Sequence, residues 1–289
     1  MSFPFRGRTR MQPAVLMTEN DFIPRSVSYV SGRTRLYGIV GHPIAQVRSP
    51  EFLTHEFVAR SIDAILLPIH LVPERFEELL PAILEIENLD GLIVTVPYKA
   101  RAARFMQTLG PQAQITGTVS VMSKRNGRWH GEMFDGLGCV AALRRRGVTI
   151  AGSRIALLGG AGSAIGVALG FEKPRSLWIA DPDVTRASAS VIKIGHAFPD
   201  LDVAITPAPL NLDQIDILIN ASPIGMLDVN ASPLPVEQLP SHLAVMDIVM
   251  KPDETRLLRM AIASGCKVVY GRELLGTQLM DVVDFLTQA

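Results

Sequence analysis

The sequence predicts an α/β protein built as an N-terminal α/β domain with a mixed sheet, followed by a domain with a doubly wound parallel sheet. Three observations predict it. The 289 residues leave room for two domains of ordinary size. After Gly147, short apolar runs alternate regularly with helical patterns. At Ile155-Ala156-Leu157-Leu158-Gly159-Gly160-Ala161-Gly162 an apolar strand enters a glycine-rich turn, with a small-residue helix, Ala164 to Leu169, directly behind.

Leu36–Val40 is a short apolar strand, and a loop over 41–50 follows. Ser49-Pro50-Glu51 reads as a helix N-cap, a proline at the first helical position and an acid in the first turn, with the helix running to about Ser61. Ala64–His70 is a second strand. Over 73–87 the apolar residues Phe76, Leu79, Leu80, Ile83 and Leu84 recur with a helical period. Gly91–Val96 is apolar throughout and reads as a strand buried on both faces. A helix over 100–109 and a strand over 117–122 come next. Asn126-Gly127 then predicts a hairpin turn into a return strand at 128–131. Phe134-Asp135-Gly136 opens a helix to about Arg145. Beyond Gly147, strands are expected at 154–158, 175–180, 202–206, 215–220, 243–248 and 267–270, and a last helix at 277–287.

These elements divide the chain into an N-terminal extension at 1–33, a substrate domain at 34–134 and a nucleotide domain at 148–271. Helices 136–146 and 277–287 are expected to complete the first domain. Arg6, Arg8 and Arg10 precede an apolar stretch, Pro13–Met17, that is shorter than the roughly 7–15 residues of a signal-peptide core. Met11 and Met17 are further candidate starts.

Composition narrows the function classes. The chain is 48% hydrophobic and 19% charged, with zero net charge, which gives no electrostatic support for nucleic acid or an anionic membrane as a partner. No uninterrupted apolar run reaches the roughly 18–20 residues of a membrane helix. Cys139 and Cys266 have neither metal-ligand spacing nor the number for a disulfide framework, so the expectation is no metal and a reducing, cytoplasmic setting.

The glycine turn carries the first chemical signal. Strand, turn and helix together form the entrance to a dinucleotide-binding βαβ unit of the Rossmann type. Gly159, Gly160, Ala161 and Gly162 let the backbone approach a pyrophosphate, and the helix N-terminus offers free N–H groups. The lettering is imperfect: counted from Gly159 the second and third fingerprint positions are Ala161 and Ala164, and counted from Gly160 the third is Ile165. A strand–helix turn with no ligand is the plainer reading.

Seven motifs in order then resemble the shikimate dehydrogenase family, from about Leu36 to the C-terminus. They are Gly41-His42-Pro43-Ile44 with Ser49-Pro50, Val94-Thr95-Val96-Pro97-Tyr98-Lys99, Gly117-Thr118-Val119-Ser120, Phe134-Asp135-Gly136, Asn220-Ala221-Ser222-Pro223-Ile224-Gly225-Met226, Asp247-Ile248-Val249 with Pro252 and Thr255, and Gly271-Arg272-Glu273-Leu274-Leu275 with Gln278. The resemblance implies an NAD(P)-dependent oxidoreductase. It would pass hydride between nicotinamide and a ring carbinol or ketone of a shikimate- or quinate-type hydroxy acid, held in the cleft between the domains.

Lys99 and Asp135 are the expected catalytic residues. A ketone reduced to an alkoxide must receive a proton as hydride arrives, and a lysine and a carboxylate within reach of one hydroxyl can shuttle it. Without the family pattern they read as a surface lysine and a helix-capping aspartate. By resemblance, Ser49, Thr95, Ser120 and Gln278 contact substrate. Val47 and Met250 stand where the family has a serine and a tyrosine, Phe134 stands at its threonine, and Ser120 stands at its asparagine. These exchanges point to a modified substrate: quinate, an amino-substituted analogue, or one more apolar near Val47, Phe134 and Met250. His42, His55 and His70 lack convergent spacing and read as structural or solvated.

Asp181 ends the second strand of the nucleotide domain, about 20 residues after the glycine turn, where a carboxylate accepts bonds from the adenosine ribose and repels a 2′-phosphate. By resemblance, Pro182 occupies the place of an arginine that holds that phosphate. NAD is therefore expected over NADP. Ser222, Met226, Ile248 and Gly271 are the other expected cofactor contacts by resemblance. The turn reads about two residues shorter than the family pattern, so weak NAD binding is expected. A small-molecule substrate is the expected partner, and a homodimer stays open. The competing readings are a family member that senses ligand without efficient catalysis, and a folate-linked two-domain dehydrogenase, against which the Asp135 and Gln278 motifs argue.

Overall fold

The computed structural model describes residues 30–159, 162–206 and 209–288. Residues 1–29 of the expected extension, with Gly160 and Ala161 of the glycine turn, lie outside the described residues. The first apolar runs become β1 (Arg35–Gly41), β2 (Ala64–His70) and β3 (Leu89–Val94). β3 starts and stops two residues before the expected 91–96. Pro97 has no N–H for a ladder and biases Val96 out of it, so Val96 is 56% exposed rather than buried.

Helix α1 (Ser49–Ala59) joins β1 to β2, and α2 (Phe76–Leu84) follows a 3₁₀ turn at Pro73–Arg75. Phe76, Leu80 and Leu84 form its buried stripe. The helix expected over 100–109 is only α3 (Lys99–Ala102) and a 3₁₀ turn to Phe105. Thr108–Leu109 is instead a two-residue strand, β4, which pairs with His130 and Gly131. An unanticipated helix, α4 (Pro111–Thr116), comes next and ends at Gly117 in the left-handed conformation, φ +68°. That exit consumes the start of the expected 117–122 strand, so β5 is Val121–Arg125. Asn126 and Gly127, both at positive φ, turn the chain into β6 (Arg128–Glu132), as the Asn-Gly signal predicts. Helix α5 (Asp135–Arg145) leads out.

The first sheet has the order β2-β1-β3-β5-β6-β4. β1 is parallel to β2 and β3, whereas β5 is antiparallel to β3 and β6, which makes the sheet mixed. The second sheet is all parallel. It contains β7 (Arg154–Leu158), β8 (Ser176–Ala180), β9 (Asp202–Ile205), β10 (Ile217–Asn220), β11 (Ala244–Asp247) and β12 (Lys267–Tyr270), in the order β12-β11-β10-β7-β8-β9. The order reverses between β7 and β10, the switch point at which such sheets bind ligands. Helices α6 (Ser163–Phe171), α7 (Val184–Ala197) and α8 (Arg256–Ala263) cover it.

Helix α9 begins at Gly271 rather than near 277 and runs to Thr287. Gly271 and Gly276 lower the helix propensity of its first turns, but the Glu273 carboxylate accepts the Tyr270 N–H and closes the first turn. Two helices tie the sheets together. α5 gives Cys139, Val140, Ala142 and Leu143 to the core beside the parallel sheet, and Leu137 to the core under α1 and α9. α9 gives Val282, Val283 and Leu286 to that second core and Leu274 to the first. Arg146 of α5 pairs with Glu273 of α9 at 2.5 Å. Burial of these apolar faces, worth about 25 cal/mol per Å², holds the two sheets in one arrangement.

Candidate active site

The carboxyl ends of β3 and β6 bring Lys99 and Asp135 together across 36 residues of sequence. Lys99 is the first residue of α3 and Asp135 the first of α5. The Lys99 ammonium donates to Asp135 Oδ2, both side chains remaining partly exposed. Asp135 is not the helix cap: that position is Phe134, which makes no side-chain cap bond. The carboxylate is thus spent on the lysine. Each group keeps donors or acceptors for a ligand hydroxyl.

The expected substrate residues lie around this pair. Thr95 follows β3, and its backbone N–H donates to Val40 O at 3.0 Å. A side chain on Gly41 would overlap Thr95 Cγ2 and lie 3.2 Å from Ile44 Cδ1, so the loop after β1 seats directly against Thr95. Ser49 opens α1, but the cap position is Arg48 and no side-chain cap bond is made. The Glu51 and Phe52 N–H groups donate to Arg48 O, at 3.1 and 3.3 Å, and the Ser49 hydroxyl is not used as a cap. Val47 packs with Ile44 and Ile93 against the core that contains Phe134. Ser120 is buried, its Oγ accepting the Phe134 N–H at 2.8 Å, so it braces the wall behind Asp135. Gln278 sits on α9 where a side chain on Gly138 would lie 3.0 Å from its Cβ. Met250 is 42% exposed beyond β11.

The glycine turn abuts the loop after β10. Gly159 has φ +110°, and a side-chain carbon there would lie 2.9 Å from the Ala221 carbonyl and 3.0 Å from Ser222 N. At Gly162 it would lie 2.7 Å from Ala221 Cβ. Only glycine fits at either place. The Gly159 N–H donates to Ala180 O at 2.6 Å, tying the turn to the end of β8. Such a bare-backbone cradle at the switch point, with the α6 N-terminus beside it, fits a dinucleotide.

A buried network shapes the facing loops. Ser222 N–H and Oγ both donate to Asn220 Oδ1, at 3.0 and 2.7 Å. Asn220 Nδ2 donates to Ile224 O and to Asp247 Oδ1, both at 3.1 Å. Asp247 also accepts Val249 N–H at 3.0 Å and the Thr255 hydroxyl at 2.6 Å. Burial pushes its carboxyl above the usual carboxylate range. Ile248 N–H donates to Asn220 O, and Gly271 has no room for a side chain beside Ile248 O at 2.7 Å. Met226 ends this loop, 48% exposed.

At the end of β8, Asp181 accepts Asp183 N–H at 2.8 Å and the Arg186 guanidinium at 2.9 Å. Asp183 caps α7 through the Thr185 and Arg186 N–H groups. Arg186 was not picked out from sequence; one helical turn beyond Asp181 was the available signal. The histidine reading is corrected too. His42 Nδ1 and His70 Nε2 lie 2.9 Å apart with rings nearly parallel at 28°. They converge because β1 and β2 are adjacent and in register, Gly41 opposite His70.

Residues 39–122 match the family model of the shikimate dehydrogenase substrate binding domain. A shikimate dehydrogenase (NADP(+)) of Thermococcus kodakarensis is 34% identical over 82% of this chain and 85% of its own. The ligand-free 5-ketofructose reductase of Gluconobacter sp. strain CHM43 superposes with a TM-score of 0.82 at 25% identity, covering 89% of this chain and 94% of that one. Quinate dehydrogenase from Corynebacterium glutamicum in complex with NAD superposes at 0.81 and 25% identity, over 88% and 94%.

Proposed function

Because this chain belongs to the shikimate dehydrogenase family, and is an NAD(P)-dependent oxidoreductase of the shikimate and quinate type, we propose that Lys99 and Asp135 move the proton that accompanies hydride transfer. The observation that carries this is the ammonium–carboxylate contact between the two. Bound nicotinamide supplies or accepts the hydride. In the reducing direction Lys99 Nζ donates a hydrogen bond to the carbonyl oxygen and gives it a proton as it becomes a hydroxyl. Asp135 accepts a hydrogen bond from the ammonium and holds it in line. Ser49, Thr95 and Gln278 orient ring hydroxyls, and Ser120 holds the backbone behind Asp135. Val47 and Met250 give the substrate apolar contact.

The reading includes NAD in preference to NADP. On this reading Asp181 accepts the ribose hydroxyls and its charge opposes a 2′-phosphate. The Thermococcus kodakarensis relative is named for NADP(+), and the quinate dehydrogenase neighbour is in complex with NAD. Gly159, Gly162, Ser222, Met226, Ile248 and Gly271 form the cradle on this reading.

The test is oxidation of shikimate and quinate with NAD or NADP, followed at 340 nm, in wild type and Lys99→Ala. Turnover that needs Lys99 and favours NAD is the expected result. Binding without turnover in wild type makes the protein a ligand sensor instead. A second reading, an uncharged keto compound as substrate, is favoured by one observation, the apolar Val47 in the loop beside Thr95. The 5-ketofructose reductase neighbour is named for such a compound.

A further inference from the structure

Resting on the dehydrogenase reading, we propose that Lys193 is a positioning residue for hydride transfer, which holds the dyad of Lys99 and Asp135 to the cofactor side through helix α4. Lys193 lies on α7, and its Nζ donates to Thr116 O at 2.8 Å. Thr116 is the last residue of α4, where helix carbonyls have no partner within the helix and a cation is favoured. The bond spans the two sheets. α4 stands between β4 and β5 of the mixed sheet, and α7 covers the parallel one.

Helix α4 is held from both sides. On the substrate side, Glu132 of β6 sets its carboxylate against the first turn, Oε1 accepting the Ala113 and Met133 N–H groups, both at 2.8 Å. That carboxylate fills the space beside Gly110, where a side-chain carbon would overlap Glu132 Oε2. On the nucleotide side, Ile115 packs against the core beside the parallel sheet, and Ala113 shares a core with Ala164 of α6. α7 is itself seated on α6. A side-chain carbon on Gly166 would lie 2.5 Å from Cδ1 of Ile194, the residue after Lys193. Lys193 is thereby fixed relative to the helix behind the glycine turn.

The chain leaving α4 leads straight to the dyad. Thr116 Oγ1 accepts the Thr118 N–H at 3.3 Å and the Thr118 hydroxyl at 2.9 Å, which stiffens the exit. The Val119 N–H then donates to Lys99 O at 3.0 Å. Ser120, the next residue, accepts the Phe134 N–H directly before Asp135. The packing of Gly136 on Ala164 ties Asp135 to α6, and one contact of this kind leaves the domains free to rock about it. Lys193 adds a second contact, on the Lys99 side, and opposes that rotation. Hydride and proton must meet at one carbonyl group, where a misplacement of about 1 Å costs rate steeply. A lysine that only covered a helix end would contribute stability and leave the rate alone.

The experiment compares Lys193→Met, which keeps the aliphatic stem and loses the donor, with Lys193→Arg, which keeps a donor. Lys193 is only partly buried, so both variants are expected to fold. Hydride transfer is read at 340 nm in a single turnover of shikimate or quinate with NAD or NADP, beside the steady-state KM of each. The expected result is a single-turnover rate lowered about tenfold in Lys193→Met, both KM values within twofold of wild type, and most of the rate restored in Lys193→Arg. A rate within twofold of wild type in Lys193→Met overturns the proposal, as does an equal loss in Lys193→Arg, or a KM that rises as far as the rate falls. If wild type turns over neither acid, the dehydrogenase reading fails, and amide hydrogen exchange decides the tie separately. Exchange at Val119 and Phe134 raised tenfold in Lys193→Met but not in Lys193→Arg upholds the tie; unchanged exchange overturns it.

Discussion

Gly136, the second residue of α5, lies so close to Ala164 of α6 that a side-chain carbon on it would overlap the Ala164 carbonyl oxygen and approach Ala168 Cβ to 2.7 Å. Asp135 precedes this contact, and Ala164 follows the glycine turn by two residues. The distance from Asp135, which holds the proposed proton donor, to the nicotinamide cradle is therefore set by a glycine at a helix crossing. Backbone against backbone has no soft side chain to yield. Gly136→Ala is expected to part α5 from α6, lowering stability by about 1–3 kcal/mol and kcat/KM at least tenfold. Urea unfolding and steady-state kinetics check it; full activity in the folded variant would separate the crossing from the chemistry.

Removal of the dyad should act on chemistry and not on cofactor affinity. Lys99→Ala and Asp135→Asn are each expected to lower kcat by about 10²–10⁴, the range of a positioned proton donor. Because the two residues work as a pair, the double variant should cost little more than either alone. NAD affinity, read by fluorescence titration, should stay within twofold. A capping role for Asp135 would instead appear as lost stability with kcat kept.

How much of this site was legible in sequence depended on whether geometry was local. Strands β7, β8 and β10 are buried on both faces, so apolar runs marked them. β4 escaped because two residues carry no period, and its existence rests on the partner strand β6. α4 escaped because its six residues, the first of them a proline, make fewer than two turns. The histidine pair was invisible from spacing, 28 residues apart, until β1 and β2 were laid in register. Arg186 reads as a solvated helix position, and only the fold of the β8–α7 turn brings it back to Asp181. Lys99 and Asp135 stand out by pattern, and the fold supplies their contact.

Cofactor choice should respond in opposite directions to the two members of the Asp181–Arg186 pair. Asp181→Ala removes an acceptor for the ribose and a charge that opposes phosphate. It is expected to lower kcat/KM with NAD about tenfold and raise it with NADP, as a charged hydrogen bond worth about 1.5–3 kcal/mol would. Arg186→Ala leaves the Asp181 charge uncompensated and should sharpen the preference for NAD. Equal responses of both cofactors to both variants would mean that the carboxylate only braces the turn.

The buried Asp247 gives a pH signature with a definite sign. Burial raises its folded-state pKa above the ordinary 3.8. Below pH 3.8 both folded and unfolded chains carry the proton and this group contributes nothing to the pH slope. As pH rises from there, the unfolded chain ionises first, so the group's contribution to stability falls until the folded value is passed, and is then constant. Asp247→Asn has no such proton and can keep the bonds to Val249 N–H and Thr255. The stability of wild type relative to Asp247→Asn is therefore expected to decrease as pH rises from 3.8, measured by urea unfolding in steps. A difference that grows with pH would show the carboxyl held below its ordinary value, with the hydrogen bonds from Thr255, Val249 and Asn220 outweighing burial.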